Sequence, residues 1–284
     1  VDKLGRNYIL TVETPNNELL VIEPPFTVEF DITRNILTSA NVCSIRIYNL
    51  SANNRNQIRF NIMDSGTYRS VQLQAGYGTN LPVIFSGNIT QAWSVREGVN
   101  FITSIESFDG GFAFANGQTN QLFPAGTAQE TVISTLAGSL PGVTLGAVGN
   151  YPGSLTRGCS FSGNTANILR DITGGGFFID NGVAHALNDS ECIDGEMLLI
   201  TSASGLLGTP VREQTILTFD IIFEPRLVVG QQIQLDSSTG QNFNGFYKII
   251  SLKHRGMISE AVCGDAVTSV GMFYGTSAIT TVQP

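Results

Sequence analysis

The chain is poor in the groups that do chemistry. Its 284 residues include two histidines, one tryptophan and four methionines. Charged residues make up 13%, about half the share usual in soluble domains. Lysine and arginine number 15 against 23 acidic residues, a net charge of −8. No basic stripe is present to neutralise phosphates, which argues against a nucleic-acid binder. The cysteines, Cys43, Cys159, Cys192 and Cys263, lie far apart, with no Cys-x-x-Cys and no Cys/His pairing. Zinc is therefore not expected, and reduced, largely buried thiols are. No apolar run reaches membrane-spanning length and no signal peptide is seen, so no membrane anchor is expected. Val1 fits a chain whose initiator methionine is removed or not counted.

What is present points to β structure. Apolar residues reach 42%, glycine numbers 31, and asparagine is frequent, which suits many turns. Few charges on so long a chain imply a surface that faces other protein. The acidic excess is uneven and is greatest in residues 186–284.

Period-two alternation marks the strands. Residues 24–35, "PPFTVEFDITRN", set Phe26, Val28, Phe30 and Ile32 on one face. Residues 43–50 and 70–77 repeat the pattern, and Ser51 is placed to cap a short helix. Residues 82–110 read as strand, turn at "REGVN", strand. Residues 1–110 thus form one antiparallel barrel or sandwich. Residues 111–185 form a small α/β insert. In it Thr127 caps a helix over 127–140 with Glu130 completing a capping box. Residues 141–158 are a long Gly/Pro loop. A second helix covers 164–176, with Ile168, Leu169 and Ile172 inward and Gly174 as its left-handed cap. Residues 186–284 are strands again. The fold class is mainly β with a small α/β insert, and the two β modules are not evident sequence repeats.

No catalytic set emerges. A Gly-x-Ser-x-Gly elbow is missing. His254 shares a strand face with Ile250 and Leu252, so a structural or interface histidine is expected; its neighbours Lys253 and Arg255 suit protein contact. The stretch "NDSECIDGE" gathers Asp189, Glu191, Asp194 and Glu196. It is the best metal candidate, but its spacing is wrong for an EF-hand, and a solvated acidic loop is the expectation. Glycines 174–176 and "LVVGQQIQLDSSTG" lack a phosphate-loop lysine. Trp93 lies in a strand, in a core or interface role. No cofactor is implied.

Residues 200–258 resemble the second barrel of baseplate hub proteins from contractile-tailed phages. The likeness rests on the turn at Ser202 and residues 205–210, on Pro225, Leu227, Gly230, Ile233 and Leu235, and on the hairpin with Asn244, Gly245, Tyr247, His254 and Gly256. Residues 30–58 and 71–89 look like the same family's first barrel. The resemblance is thinnest across 111–185, and Met257 departs from it, where the family often has aspartate. It implies two tube-like antiparallel β-barrel modules per chain, 1–110 and 186–284. Three chains then form a pseudo-sixfold ring that adapts a hexameric tail tube to a trimeric spike and passes DNA transiently through its lumen. The implied partners are the chain itself, as a homotrimer, the tail tube protein, the spike protein and other baseplate proteins. The implied location is the virion tail baseplate, assembled in the host cytoplasm. At this length no fused lysozyme or long C-terminal arm is expected. The low positive charge suits such a lumen, and part of the acidic excess of 186–284 is expected to face it. Two other readings stay open: a carbohydrate-active tail protein (a cell-wall hydrolase or receptor-binding module), and a hexameric tube subunit, which needs only one barrel.

Overall fold

The computed structural model describes residues 4–36, 40–261, 264–273 and 280–283; Cys263 lies outside them. The first part of the chain holds β1 (Arg6–Glu13), β2 (Leu19–Ile22), β3 (Val28–Asn35), β4 (Val42–Tyr48), α1 (Ala52–Ile58), β5 (Phe60–Asn61), α2 (Ile62–Ser65), β6 (Arg69–Tyr77), β7 (Val83–Glu97) and β8 (Asn100–Phe108). The middle holds α3 (Gly111–Asn116), β9 (Gln118–Phe123), α4 (Gln129–Gly138), β10 (Thr144–Val148), β11 (Cys159–Asn164), α5 (Thr165–Ile172), β12 (Phe177–Asp180) and β13 (Val183–Ala186). The last part holds β14 (Glu191–Ile200), β15 (Leu206–Glu213), β16 (Ile216–Ile222), β17 (Gln231–Leu235), β18 (Gly245–Ile258), β19 (Ala266–Phe273) and β20 (Thr280–Val282).

Alternation built the strands as read. Val28, Phe30 and Ile32 are buried on β3, and Val71, Leu73 and Ala75 on β6. Each of these side chains apart from Ala75 contributes roughly 1.5–3 kcal/mol by leaving water. The Ser51 hydroxyl accepts from Asn54 N at 3.2 Å and caps α1. Gly98, in the β7–β8 turn, has φ +62°, which glycine adopts without strain.

The insert holds a third helix, α3, and the strand β9 where the sequence suggested only loop, and it departs from the reading in three further places. Helix α4 starts at Gln129, and Ala128 caps it without a side-chain bond. Thr127 is consumed by the preceding turn, where its hydroxyl donates to Pro124 O at 2.8 Å. The loop 141–158 contains β10, which pairs in parallel with β13. Helix α5 is shorter than expected: the Asn164 side chain caps it, Leu169 is buried, and Ile168 and Ile172 are half-buried. Gly174 is left-handed as expected, at φ +64°.

The two ends of the chain share one sheet. Its hydrogen-bonded path runs β2-β1-β6-β7-β8-β4-β3-β18-β19-β16-β15. Strand β18 is the hinge of this path. One edge of it pairs with β19; the other is divided between β17, over its first residues, and β3. Among the described residues the path stays open, and the closed barrels expected from the resemblance are not found. The reason is visible at β18: the edge that would seal the second half on itself is occupied by β3 of the first.

The halves repeat each other in topology though not in sequence. The order β6-β7-β8-β4-β3 is matched strand for strand by β17-β18-β19-β16-β15, and all eight pairings are antiparallel. Even the irregularity recurs. A one-residue shift lies between Ile89 and Gln91 in β7 and between Ile249 and Ser251 in β18. Three apolar cores result: one under β1–β8, one under β14–β19, and one in the insert around Ile133, Leu136 and Leu169.

Candidate functional site: an outward face shared by both halves

Side chains alternate across a sheet, so the residues opposite the cores form one outward face from β16 to β7. Register aligns it in rows. Arg255, Asp31, Ser44, Glu106 and Gln91 lie side by side across β18, β3, β4, β8 and β7. Met257, Glu29, Arg46, Ser104 and Trp93 form the next row. Asp220, Ser269 and Lys253 extend the face over β16, β19 and β18. Two depressions of about 330 and 590 Å³ lie on it, the larger lined by Thr33, Thr218, Ser251 and Gly271.

The face is polar and pairs its charges internally. Lys253 Nζ lies 3.0 Å from Asp31 Oδ2, and Arg46 Nη1 lies 3.2 Å from Glu29 Oε2. Tyr48 donates to Glu29 Oε1 at 2.8 Å, Ser44 to Glu106 at 2.8 Å, and Ser269 to Asp220 at 2.6 Å. These pairs are half-exposed, so each stabilises the fold by about 1 kcal/mol or less. Their consequence is electrostatic. Glu29, Asp31, Glu97, Glu106, Asp220 and Asp265 outnumber Arg46, Lys253 and Arg255.

The residues singled out in the sequence fall elsewhere, into the framework of the second half. Gly230 has φ +82°; its N–H donates to Ile249 O at 2.8 Å and its carbonyl accepts from Ile193 N at 2.8 Å, tying β18 to β14. Pro225 is buried in the turn before it. Asn244 accepts from Ser237 N at 2.7 Å and donates to Asp236 at 2.9 Å, closing the loop before β18. Gly245 opens β18, and the Tyr247 hydroxyl donates to Phe243 O at 2.8 Å. A Cβ on Gly256 would lie 2.7 Å from that of Ala266, so β18 and β19 approach closely there.

His254 is fully buried, which removes the interface role. Its Nδ1 is 2.9 Å from the Thr268 hydroxyl and its ring meets Phe223 edge-on. Burial, and then the Arg34 charge, lower its pKa to about 3. Lys253 beside it pairs with Asp31 of the same chain. The acidic loop is also corrected. Glu191 is buried, because its carboxylate accepts from Asn150 N at 2.8 Å, Asn188 N at 2.9 Å and Asn188 Nδ2 at 3.0 Å. Asp189, Asp194 and Glu196 are exposed. Among the described residues no cluster of three or more His, Cys, Asp or Glu is placed to hold a metal.

Sequence reasoning missed the buried junction between insert and sheet. Arg34 is 1% exposed and grips Asp180 with two hydrogen bonds, Nε to Oδ1 at 2.7 Å and a second from Nη2 to Oδ2. Asp109 lies alongside, accepting from Asn181 N at 2.5 Å and Gly182 N at 3.0 Å. Asn41 bridges the two carboxylates, 3.4 Å from Asp109 and 3.3 Å from Asp180. Burial, and then the Asp180 charge, raise the Asp109 pKa to about 6. One signal was available: alternation puts Arg34 on the inward face after Phe30 and Ile32.

These groups set an acid dependence. His254 and His185, whose pKa burial lowers to about 4, stay neutral in the fold and protonate on unfolding. Their depressed values stabilise the fold above pH about 6.5, and that stability is lost as pH falls. Asp109 has the opposite sign, because the fold holds its proton below about 6. One proton net is taken up on unfolding below that point. Urea unfolding at pH 5.5 and 4.5 is expected to show a loss of about 1.4 kcal/mol over that unit.

Comparison with known proteins agrees with this architecture. A profile of the family described as baseplate hub gp41 matches residues 9–256. The chain belongs to that family. It is thus a baseplate hub protein, and the hub's fold recurs in solved tail proteins. A tail protein from Neisseria meningitidis MC58 superposes with a TM-score of 0.59 at 11% identity, over 94% of the hub and 96% of that chain. The 43 kDa tail protein of prophage MuSo2 from Shewanella oneidensis gives 0.59 at 8%, over 94% and 96%. The E. coli c3393 protein, a type VI secretion component described as similar to the T4 tail proteins gp27 and gp5, gives 0.59 at 10%, over 91% and 76%. No curated protein sequence matches the hub.

Proposed function

We propose that three copies of the hub form a pseudo-sixfold ring in a contractile-tail baseplate. The ring joins the hexameric tail tube to the trimeric spike and carries DNA through its bore, as a structural part with no catalysis of its own. The observation that carries this reading is the repeated strand path. A chain holding two equivalent tube-like modules, 1–110 and 186–284, supplies six units from three copies. Light scattering on the purified hub, and on hub released from baseplates, is expected to give a trimer. A monomer from both sources overturns the reading.

The outward face is the wall of the bore in this reading. Four of its six carboxylates come from the first half, so the acidic excess of 186–284 is not its main source. Polyanion passage needs a wall that holds no phosphates, and each paired cation here is held by a carboxylate instead. The double variant E29Q/D31N frees Lys253 and leaves Arg46 with Glu97 alone, 3.8 Å away. It is expected to bind duplex DNA about tenfold tighter at low salt, by fluorescence anisotropy. Unchanged binding removes this account of the face.

A further inference from the structure

The join between the two halves inside one chain shows how one chain meets the next, and this rests on the trimer reading above. In the internal join, β18 pairs with β3, and Arg255 lies opposite Asp31. The repeated path gives each of these strands a counterpart, and among the described residues both counterparts have an edge on which no strand pairs. Strand β15 is the end of the sheet. On β7, the edge that β18 gives to β3 is taken by β6 and then by β5 as far as Ala92, which leaves residues 93–97 with no strand partner on that side among the described residues. Residues 94–97 are exposed.

Register fixes how these edges meet. The matching shifts make Gln91 the counterpart of Ser251, so Val95 corresponds to Arg255. Gln91 faces Glu106, Glu106 faces Ser44, and Ser44 faces Asp31. In the other half Ser251 faces Gly271, Gly271 faces Thr218, and Thr218 faces Val211. Val211 is therefore the counterpart of Asp31. We infer that β15 of one copy adds antiparallel to residues 93–97 of β7 in a second copy, with Val211 directly opposite Val95. Both valines are β-formers standing in water, 40% exposed at Val95 and 54% at Val211. An apolar, β-branched pair on two edges that carry no strand among the described residues favours strand addition. The contact is head-to-tail, so it propagates from copy to copy and ends by closing a ring. Trp93 sits within the free segment and, as the one tryptophan, reports on it.

The test is a cysteine pair. In assembled baseplates under mild oxidant, V95C/V211C is expected to run as a covalent trimer on a non-reducing gel, while V95C and V211C alone match wild type. A charge pair gives a second readout. V95D alone and V211K alone are expected to lose assembly and to red-shift Trp93 emission, and V95D/V211K to regain both. Circular dichroism checks that each variant folds. No covalent species beyond the single-cysteine controls, or a ladder running past three chains, overturns the inference. If wild type is trimeric but the charge variants assemble normally, this join is wrong and the trimer stands. If wild type is monomeric in baseplates too, the trimer reading fails with it.

Discussion

Arg34→Ala is expected to destabilise the hub by about 3–5 kcal/mol, the largest effect of any single change considered. The guanidinium is the only cation among the groups described at the junction of insert and sheet, and it lies between Asp180 and the β18 strand that carries His254. Removing it leaves Asp180 and Asp109 buried together without a counter-charge. Lysine at this position offers one nitrogen where Arg34 uses two in a fixed fork, so R34K is expected to recover only part of the loss. The loss has a pH signature. Protonating one carboxyl relieves the repulsion, so the deficit of R34A is expected to shrink between pH 7.5 and 5. Chemical denaturation of both variants at the two pH values measures this. A deficit that does not change with pH indicates lost side-chain volume rather than stranded charge.

Gly149→Ala is expected to cost about 2–4 kcal/mol through its contact with Glu191. A Cβ at Gly149 would lie 1.8 Å from Glu191 Oε2, and the carboxylate cannot retreat because three N–H donors hold it. If it shifts, the amides of Asn150 and Asn188 lose their acceptor inside the protein. Nearby Lys248 is itself buried, with Nζ 2.7 Å from Asn188 O, and burial lowers its pKa. A double-mutant cycle separates the causes: E191A is expected to cost less in the G149A background than in wild type. Additive costs exclude the clash as the mechanism.

These two sites mark the limit of what a linear reading reaches. The inward position of Arg34 follows from alternation along β3, but its partner Asp180 is 146 residues away. Glu191 looked solvated because its neighbours are acidic, yet its donors include Asn150, 41 residues upstream. Thr127 had the chemistry of a helix cap and lost that role to a turn three residues back. The internal repeat was hidden because equivalent positions differ in kind: Arg255 corresponds to Val95, and Asp31 to Val211.

By itself the sequence determined most strands of the two β parts, two of the three helices of the insert, the scarcity of reactive groups and the kinship with baseplate hubs. Each depends on short spacings along the chain, where backbone geometry fixes the period of the side chains. Only the tertiary structure decided which edge of β18 meets β3, why the path stays open, and which charges are sealed inside. Those outcomes depend on contacts between segments far apart in the chain, where burial and hydrogen-bond demand act regardless of sequence order.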